Sequence, residues 1–180
     1  VEFWLTNDHS EQKNGEYSWQ ILNDQGKIVV SGKKNVQIKG CDSKQVNNLR
    51  ATEFGDYEDS LEKLCVFFQF KSDDGNTYHG FRLFESPKEF DLEDPEMEME
   101  FGKVSGDHVE VKIKSKKIAL YVFLKSETVD FLASDNYFSL KPGESRVLRV
   151  KPQKTTQENY NYQGEEFVSE IKKTLYVESL

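Results

Sequence analysis

The chain reads as all-β, built as two β-sandwiches in series. Apolar and polar residues alternate with a period of two through much of its length, β-branched and aromatic residues crowd the apolar positions, and turn residues recur every ten or so positions. Its 180 residues exceed one sandwich of about 100 residues and fall short of a catalytic (β/α)8 barrel of about 250. Hydrophobic residues make up only 36%, yet thirteen Phe, eight Tyr and two Trp supply enough apolar area for small aromatic cores.

In the opening "VEFWLTND", Phe3 and Leu5 fall on one face and Glu2, Trp4 and Thr6 on the other. Trp4 is therefore the aromatic expected to stand exposed or at an interface. "EYSWQILNDQGKIVVSG" predicts a hairpin, with Tyr17, Trp19 and Ile21 on one face, "NDQG" turning, and Ile28 to Val30 returning. A separate strand is expected in "KNVQIKG", with Val36 and Ile38 inward. "CDSKQVNNLRATEFGDYEDSLEK" is polar and weakly patterned, so it predicts a crossing between sheets with a short helical turn near Tyr57 to Leu61. "KLCVFFQFKSDDGNTYHGFRLFE" carries the clearest hairpin signal, because its Asp-Gly supplies the positive φ that tight turns need.

"ESPKEFDLEDPEMEMEFG" marks the domain boundary, since Pro87 and Pro95 lack the amide proton that strand pairing uses. The division is placed at 1–87 and 88–180. After Pro95, Met97, Met99 and Phe101 share one strand face and three glutamates the other. That acidic run is read as a solvated strand face and not as a calcium loop, for no DxDxDG pattern is present. Further on, Val109, Val111 and Ile113 point inward, and the apolar run Ile118 to Leu124 suits a central strand covered on both faces, or one lying against the first domain. "NYFSLKPGESRVLRVKP" gives a short strand, a turn with Pro142 and Gly143 at the type II positions, and another strand. "QKTTQENYNYQG" is expected to loop, "GEEFVSEIKK" to form one amphipathic helix with Phe167, Val168 and Ile171 on a face, and "TLYVESL" to close as a strand. The count is about seven strands before Pro87 and six or seven after Pro95.

A net charge of −8 argues against nucleic-acid and anionic-membrane partners, both of which need a basic face. No apolar run approaches the roughly 20 residues that span a bilayer. Cys41 and Cys65 are read as free thiols, and His9, His79 and His108 are scattered without any CxxC, so neither a metal site nor a cofactor is expected. The chain opens in mid-strand with neither an initiator Met nor a signal-peptide pattern, and is read as a piece of a longer protein whose targeting signal lies elsewhere.

Several stretches then point further: "SPKEFDLEDPEMEME", "KIALYVFLKS", "ASDNYFSLKPGESRVLRV" and "LYVESL". In order and spacing the chain resembles the C-terminal end of β-mannosidases of glycoside hydrolase family 2. In that family a Pro-Lys pair closes the penultimate domain, here Pro87-Lys88. A strand follows, here Ala119 to Phe123 with Tyr121 and Phe123 departing slightly from the pattern. A Ser-Asp-Asn-x-Phe stretch comes next, here Ser134, Asp135, Asn136 and Phe138, leading to Leu-x-Pro-Gly-Glu, here Leu140 with Pro142, Gly143 and Glu144. The opening is similar to the start of the immunoglobulin- or carbohydrate-module-like domain after the catalytic barrel. The resemblance implies two tandem immunoglobulin-like β-sandwich domains without catalytic residues. Their partner would be the catalytic barrel of the same polypeptide, and the parent would hydrolyse terminal β-mannosides with retention.

Asp135 and Asn136 are expected to form a corner, because both side chains readily bond nearby backbone amides and tolerate left-handed conformations. A contact to the barrel or to a distal sugar is the alternative role. Trp4, Trp19, Tyr78 and Tyr137 are the aromatics that could stack on sugar rings, with Trp19 assigned to the core by its phase and Trp4 the glycan-binding candidate. Tyr160 and Tyr162 are open to a partner chain, and a homodimer is a further arrangement left open. Two other functional classes stand beside the leading one. A mannan-type glycan-binding module would need exposed aromatics and measurable affinity, and an extracellular interaction module would be a natural mature protein.

Overall fold

The computed structural model describes residues 1–153 and 164–180. Apart from Gln153 and Gly164, the expected loop "QKTTQENYNYQG", with Tyr160 and Tyr162, lies outside them. The chain divides into two compact units, Val1–Leu92 and Glu93–Leu180. Each is an immunoglobulin-like sandwich, so the chain is all-β with two such domains in tandem. The division falls later than the expected 87/88. Phe90, only 4% exposed, belongs to the first unit, so Pro87 marks the end of strand pairing and not the end of the domain.

The first unit holds β1 (Glu2–Asn7), β2 (Lys13–Asn23), β3 (Ile28–Ile38), β4 (Asp42–Asn48), β5 (Leu64–Ser72) and β6 (Thr77–Leu83). An antiparallel sheet in the order β3-β2-β5-β6 and a two-stranded sheet β1-β4 share one core. Tyr17, Ile21, Val66 and Phe70 of the larger sheet meet Phe3 and Val46 of the smaller, with Phe54 from the connection.

Two expectations fail here for physical reasons. β3 runs unbroken where two strands were expected, because its mid-strand Gly32 is no turn but a seat for an aromatic ring. Gly32, Trp19, Phe68 and Gly80 pair side by side across all four strands. A Cβ on Gly32 would lie 2.2 Å from a Trp19 ring carbon, and one on Gly80 2.1 Å from the Phe68 ring. The two edge glycines thus let large rings fold over the neighbouring backbone. β4 was hidden in the polar crossing because Val46 is its one buried residue, beside a half-buried Asn47, and its other residues are exposed. The first unit therefore has six strands, where about seven were expected. The helical turn expected at Tyr57–Leu61 is instead bracketed by 3-10 helices at Ala51–Tyr57 and Leu61–Lys63.

The second unit holds β7 (Glu98–Ser105), β8 (His108–Lys114), β9 (Ala119–Lys125), β10 (Phe131–Ala133), β11 (Phe138–Leu140), β12 (Ser145–Pro152), α1 (Gly164–Thr174) and β13 (Tyr176–Glu178). Its sheets run β10-β12-β8-β7 and β11-β9-β13. Val109, Val111 and Ile113 are fully buried between them with Val122, Leu140, Leu148 and Val150. Phe167 and Ile171 of α1, four residues apart and so on one helix face, join the same core, with Val168 packed at its margin. On the solvent side Glu98 and Glu100 of β7 stand opposite Lys114 and Lys112 of β8, the opposite-charge pairing that stabilises exposed strands.

β9 is the central strand of its sheet, as the apolar run suggests, yet its two faces differ. Ala119, Leu120, Val122 and Leu124 are buried, whereas Tyr121 is exposed and Phe123 half-buried.

Candidate functional site

Among the described residues no group of three or more His, Cys, Asp or Glu side chains could hold a metal ion, and the candidate sites are surface features, each of which follows from its strand. A bulge between Phe3 and Trp4 shifts the register of β1 on β4 and leaves Trp4 56% exposed. Its indole Nε1 donates to Glu2 Oε2 at 3.2 Å, fixing the ring. Gln45 lies opposite, and the hydroxyls of Thr6 and Ser43 meet at 2.9 Å. The result is an apolar ring framed by hydrogen-bonding groups, suited to a protein surface or a sugar face.

The Ser-Asp-Asn stretch sits between β10 and β11 and ties strands together. Ser134 Oγ accepts from the Arg149 amide at 3.0 Å, while the Ser134 amide donates to the Arg149 carbonyl at 2.8 Å. Asp135 accepts from the Asn136 amide at 2.8 Å and pairs with the Arg146 guanidinium. Asn136 Oδ1 accepts from the Leu124 amide at 3.0 Å, so it satisfies a backbone donor of β9. Tyr137 then takes a left-handed φ of 57°, and Phe138 enters the core.

The following turn is bound at both ends. Gly143 has φ 77°, and Glu144 closes the turn by donating its amide to the Lys141 carbonyl and accepting the Lys141 amide on its carboxylate, both at 3.0 Å. The Gly143 amide donates to the Ser115 carbonyl at 2.8 Å. Ser115 is itself buried, its hydroxyl 2.7 Å from the Lys117 carbonyl oxygen and 3.0 Å from that of Pro95. Pro87 and Lys88 are exposed in a turn, where the Glu89 amide donates to the Ser86 carbonyl.

The acidic run meets lysines. Lys117 bridges Glu93 at 2.7 Å and Glu96 at 3.3 Å, and Lys116 bridges Glu96 and Glu98 at 3.3 and 3.6 Å. Hydrogen bonds from Lys116 and Lys117 hold the Glu96 carboxyl below the usual range. A hydrogen bond from Lys13 likewise holds Asp74 down at about 2. A general acid in a glycosidase needs the opposite shift. Cys41 is exposed and Cys65 buried, both as free thiols, and burial pushes the Cys65 thiol up to about 12, where it stays protonated and unreactive.

Of the other expected aromatics, Trp19 is half-buried and stacks on Tyr17 at 5.4 Å. Tyr78 is exposed and stacks on Phe70, and Tyr137 is 65% exposed and stacks on Phe123 at 5.2 Å. Sequence reasoning did not single out Tyr121, Phe123 and Tyr176 as surface residues. An alternation count along β9 puts Tyr121 and Phe123 in phase with the buried Ala119 and opposite Leu120, Val122 and Leu124, so it hints at the outward rings only in part, and the apolar run masks it.

Residues 1–89 match the mannosidase Ig/CBM-like domain family, and residues 92–179 match the Ig-fold domain of the Ig_mannosidase family. No curated protein matches the chain in sequence. Among solved structures, a β-D-mannosidase from Dictyoglomus thermophilum superposes with a TM-score of 0.76 at 18% identity, over 99% of this chain and 20% of that one. An exo-chitosanase, CsxA, from Amycolatopsis orientalis superposes with a TM-score of 0.61 at 12% identity, over 99% of this chain and 24% of that one. Identities this low speak for the fold alone, and the chain spans about a fifth to a quarter of those enzymes. It belongs to the mannosidase immunoglobulin-like families, as a mannosidase Ig/CBM-like domain followed by an Ig-fold domain.

Proposed function

We propose that this chain is the non-catalytic accessory region of a β-mannosidase-like retaining glycoside hydrolase, whose parent removes terminal non-reducing β-D-mannose residues and whose catalytic barrel these domains pack against. The observation that carries the reading is the pairing of two mannosidase-type domains in one chain with carboxylates committed to lysines. Retaining hydrolysis needs two carboxyl groups about 5–5.5 Å apart beside a sugar pocket, one of them with a raised pKa. Glu96 and Asp74 are shifted the other way. The exposed indole of Trp4 supplies apolar surface for the barrel.

The test is to express the parent's barrel separately and titrate it with this chain by calorimetry. Saturable binding that Trp4→Ala weakens supports the reading, and absence of binding contradicts the packing role. A second reading, a mannan-type glycan module, draws on the frame of Glu2, Thr6, Ser43 and Gln45 around Trp4. It predicts that mannohexaose binds the chain alone and that Trp4→Ala abolishes the binding.

A further inference from the structure

We infer that the outer face of the β11-β9-β13 sheet in the second unit is a stacking site for a neutral pyranose ring, with Tyr137 as its platform. This surface is distinct from the one around Trp4, and the inference does not depend on the parent's being a mannosidase.

Tyr137 is the most exposed large apolar side chain of the described residues, at 65%. It does not stand alone. Its ring lies 5.2 Å from that of Phe123 with 26° between the planes, so one face is backed and the other is open. Phe123 is braced in turn by Lys125, whose Nζ lies 5.4 Å from the ring centroid. Lys125 is held by Glu178 across the β9-β13 pairing at 3.0 Å. The backbone supports the platform as well. Tyr137 takes a left-handed φ of 57°, uncommon for an aromatic residue, just after Asn136 is anchored to the Leu124 amide. That anchor sets the ring's position from the strand it overlies.

The chemistry selects the occupant. A ring face carries negative quadrupolar charge, and the polarised C–H bonds on one side of a pyranose complement it. Lys125 and Glu178 are half exposed and offer a donor and an acceptor at the platform's edge, where the sugar's hydroxyls would lie. A cationic ligand is disfavoured because Lys125, 5.4 Å from the centroid of the Phe123 ring that backs Tyr137, already places a positive charge beside the ring pair. A polyanion is disfavoured by the chain's net charge of −8. An uncharged, hydroxyl-rich ring is the class that fits both the apolar face and the neutralised rim.

The experiment is a titration of the 15N-labelled 180-residue chain with mannohexaose, and separately with cellohexaose, followed by amide shifts. The expected result is saturable movement at Tyr121–Lys125, Tyr137–Ser139 and Tyr176–Glu178. Tyr137→Asn removes the ring while accepting a left-handed φ more easily than tyrosine does, and it should weaken binding about tenfold or more. Tyr137→Phe should keep the affinity. The shift map of the unsubstituted chain decides the matter even where a variant folds poorly. No shifts with either oligosaccharide at millimolar concentration would overturn the proposal. So would shifts confined to the strands around Trp4, which belong to the second reading above. Shifts at this face that follow protein concentration and not sugar would make it a contact between copies, and would overturn it too.

Discussion

In the first unit the core is built on aromatic rings, although Trp4 and Tyr78 stand exposed. Phe3, Tyr17, Phe54 and Phe70 are buried, Trp19 and Phe68 lie against them, and glycines on both edge strands make room for the rings. In the second unit the core is mainly aliphatic, filled by valine, isoleucine and leucine with Phe138 and Phe167, while Tyr121 and Tyr137 stand outside. The covering elements explain the difference. A two-stranded sheet and short 3-10 helices provide few side chains over the larger sheet of the first unit, so each must be large. The second unit has two fuller sheets and an amphipathic helix, and small branched residues suffice. One fold class thus fills its two cores differently, and the exposed rings differ as well: Tyr78 of the first unit stacks on the buried Phe70, whereas Tyr137 of the second stacks on Phe123, which is itself half-buried.

The largest expected effect breaks the aliphatic side of this contrast. Phe167→Ala empties the place of a fully buried ring and should cost about 3–5 kcal/mol. Chemical denaturation should show it as a lower midpoint, and an unchanged midpoint would mean that α1 does not complete the core. Next comes the aromatic side. Gly80→Ala puts a Cβ 2.1 Å from the Phe68 ring and should cost about 1–3 kcal/mol. Gly102→Ala on β7, whose Cβ meets nothing nearer than 3.3 Å, should be much milder by thermal melting. Equal effects would remove the distinction between glycines that seat rings and glycines that do not.

Asn136→Ala leaves the Leu124 amide without its acceptor and should cost about 1–2 kcal/mol. Faster hydrogen exchange at Leu124 is the specific readout, and unchanged exchange would show that the corner does not hold β9. The smallest effect concerns pH. Asp74 has a folded pKa of about 2 against an ordinary value of 3.8, because Lys13 donates to it. Its contribution is therefore fully present above the ordinary value and is lost as pH falls toward 2. NMR titration of the carboxyl should find the low midpoint, and Lys13→Met should move it up. A midpoint already near 3.8 in the unsubstituted chain would mean that the pair is not formed.

Much of the fold was legible because period-two patterning needs only local information. Phe3 against Trp4, Val109 with Val111 and Ile113, and the glutamate face of β7 were read from alternation alone. β4 was not, since a strand that buries one valine shows almost no pattern. β3 was split because Gly32 looks like a break until its cross-strand partner Trp19 is known, and that is a non-local fact. The Ser-Asp-Asn stretch stood out as turn chemistry, but its attachment to Leu124 and Arg149 depends on the register of distant strands. The ring pair of Phe123 and Tyr137 escaped notice for the same reason. One ring lies inside an apolar run and the other in a turn, and only the pairing of β9 with β11 brings them together.

The central claim is that this chain supplies surfaces and not catalysis. The most direct measurement is hydrolysis of 4-nitrophenyl β-mannoside by the purified, folded chain, followed by nitrophenolate release. The account predicts a rate indistinguishable from buffer. Turnover that rises in proportion to chain concentration would contradict it.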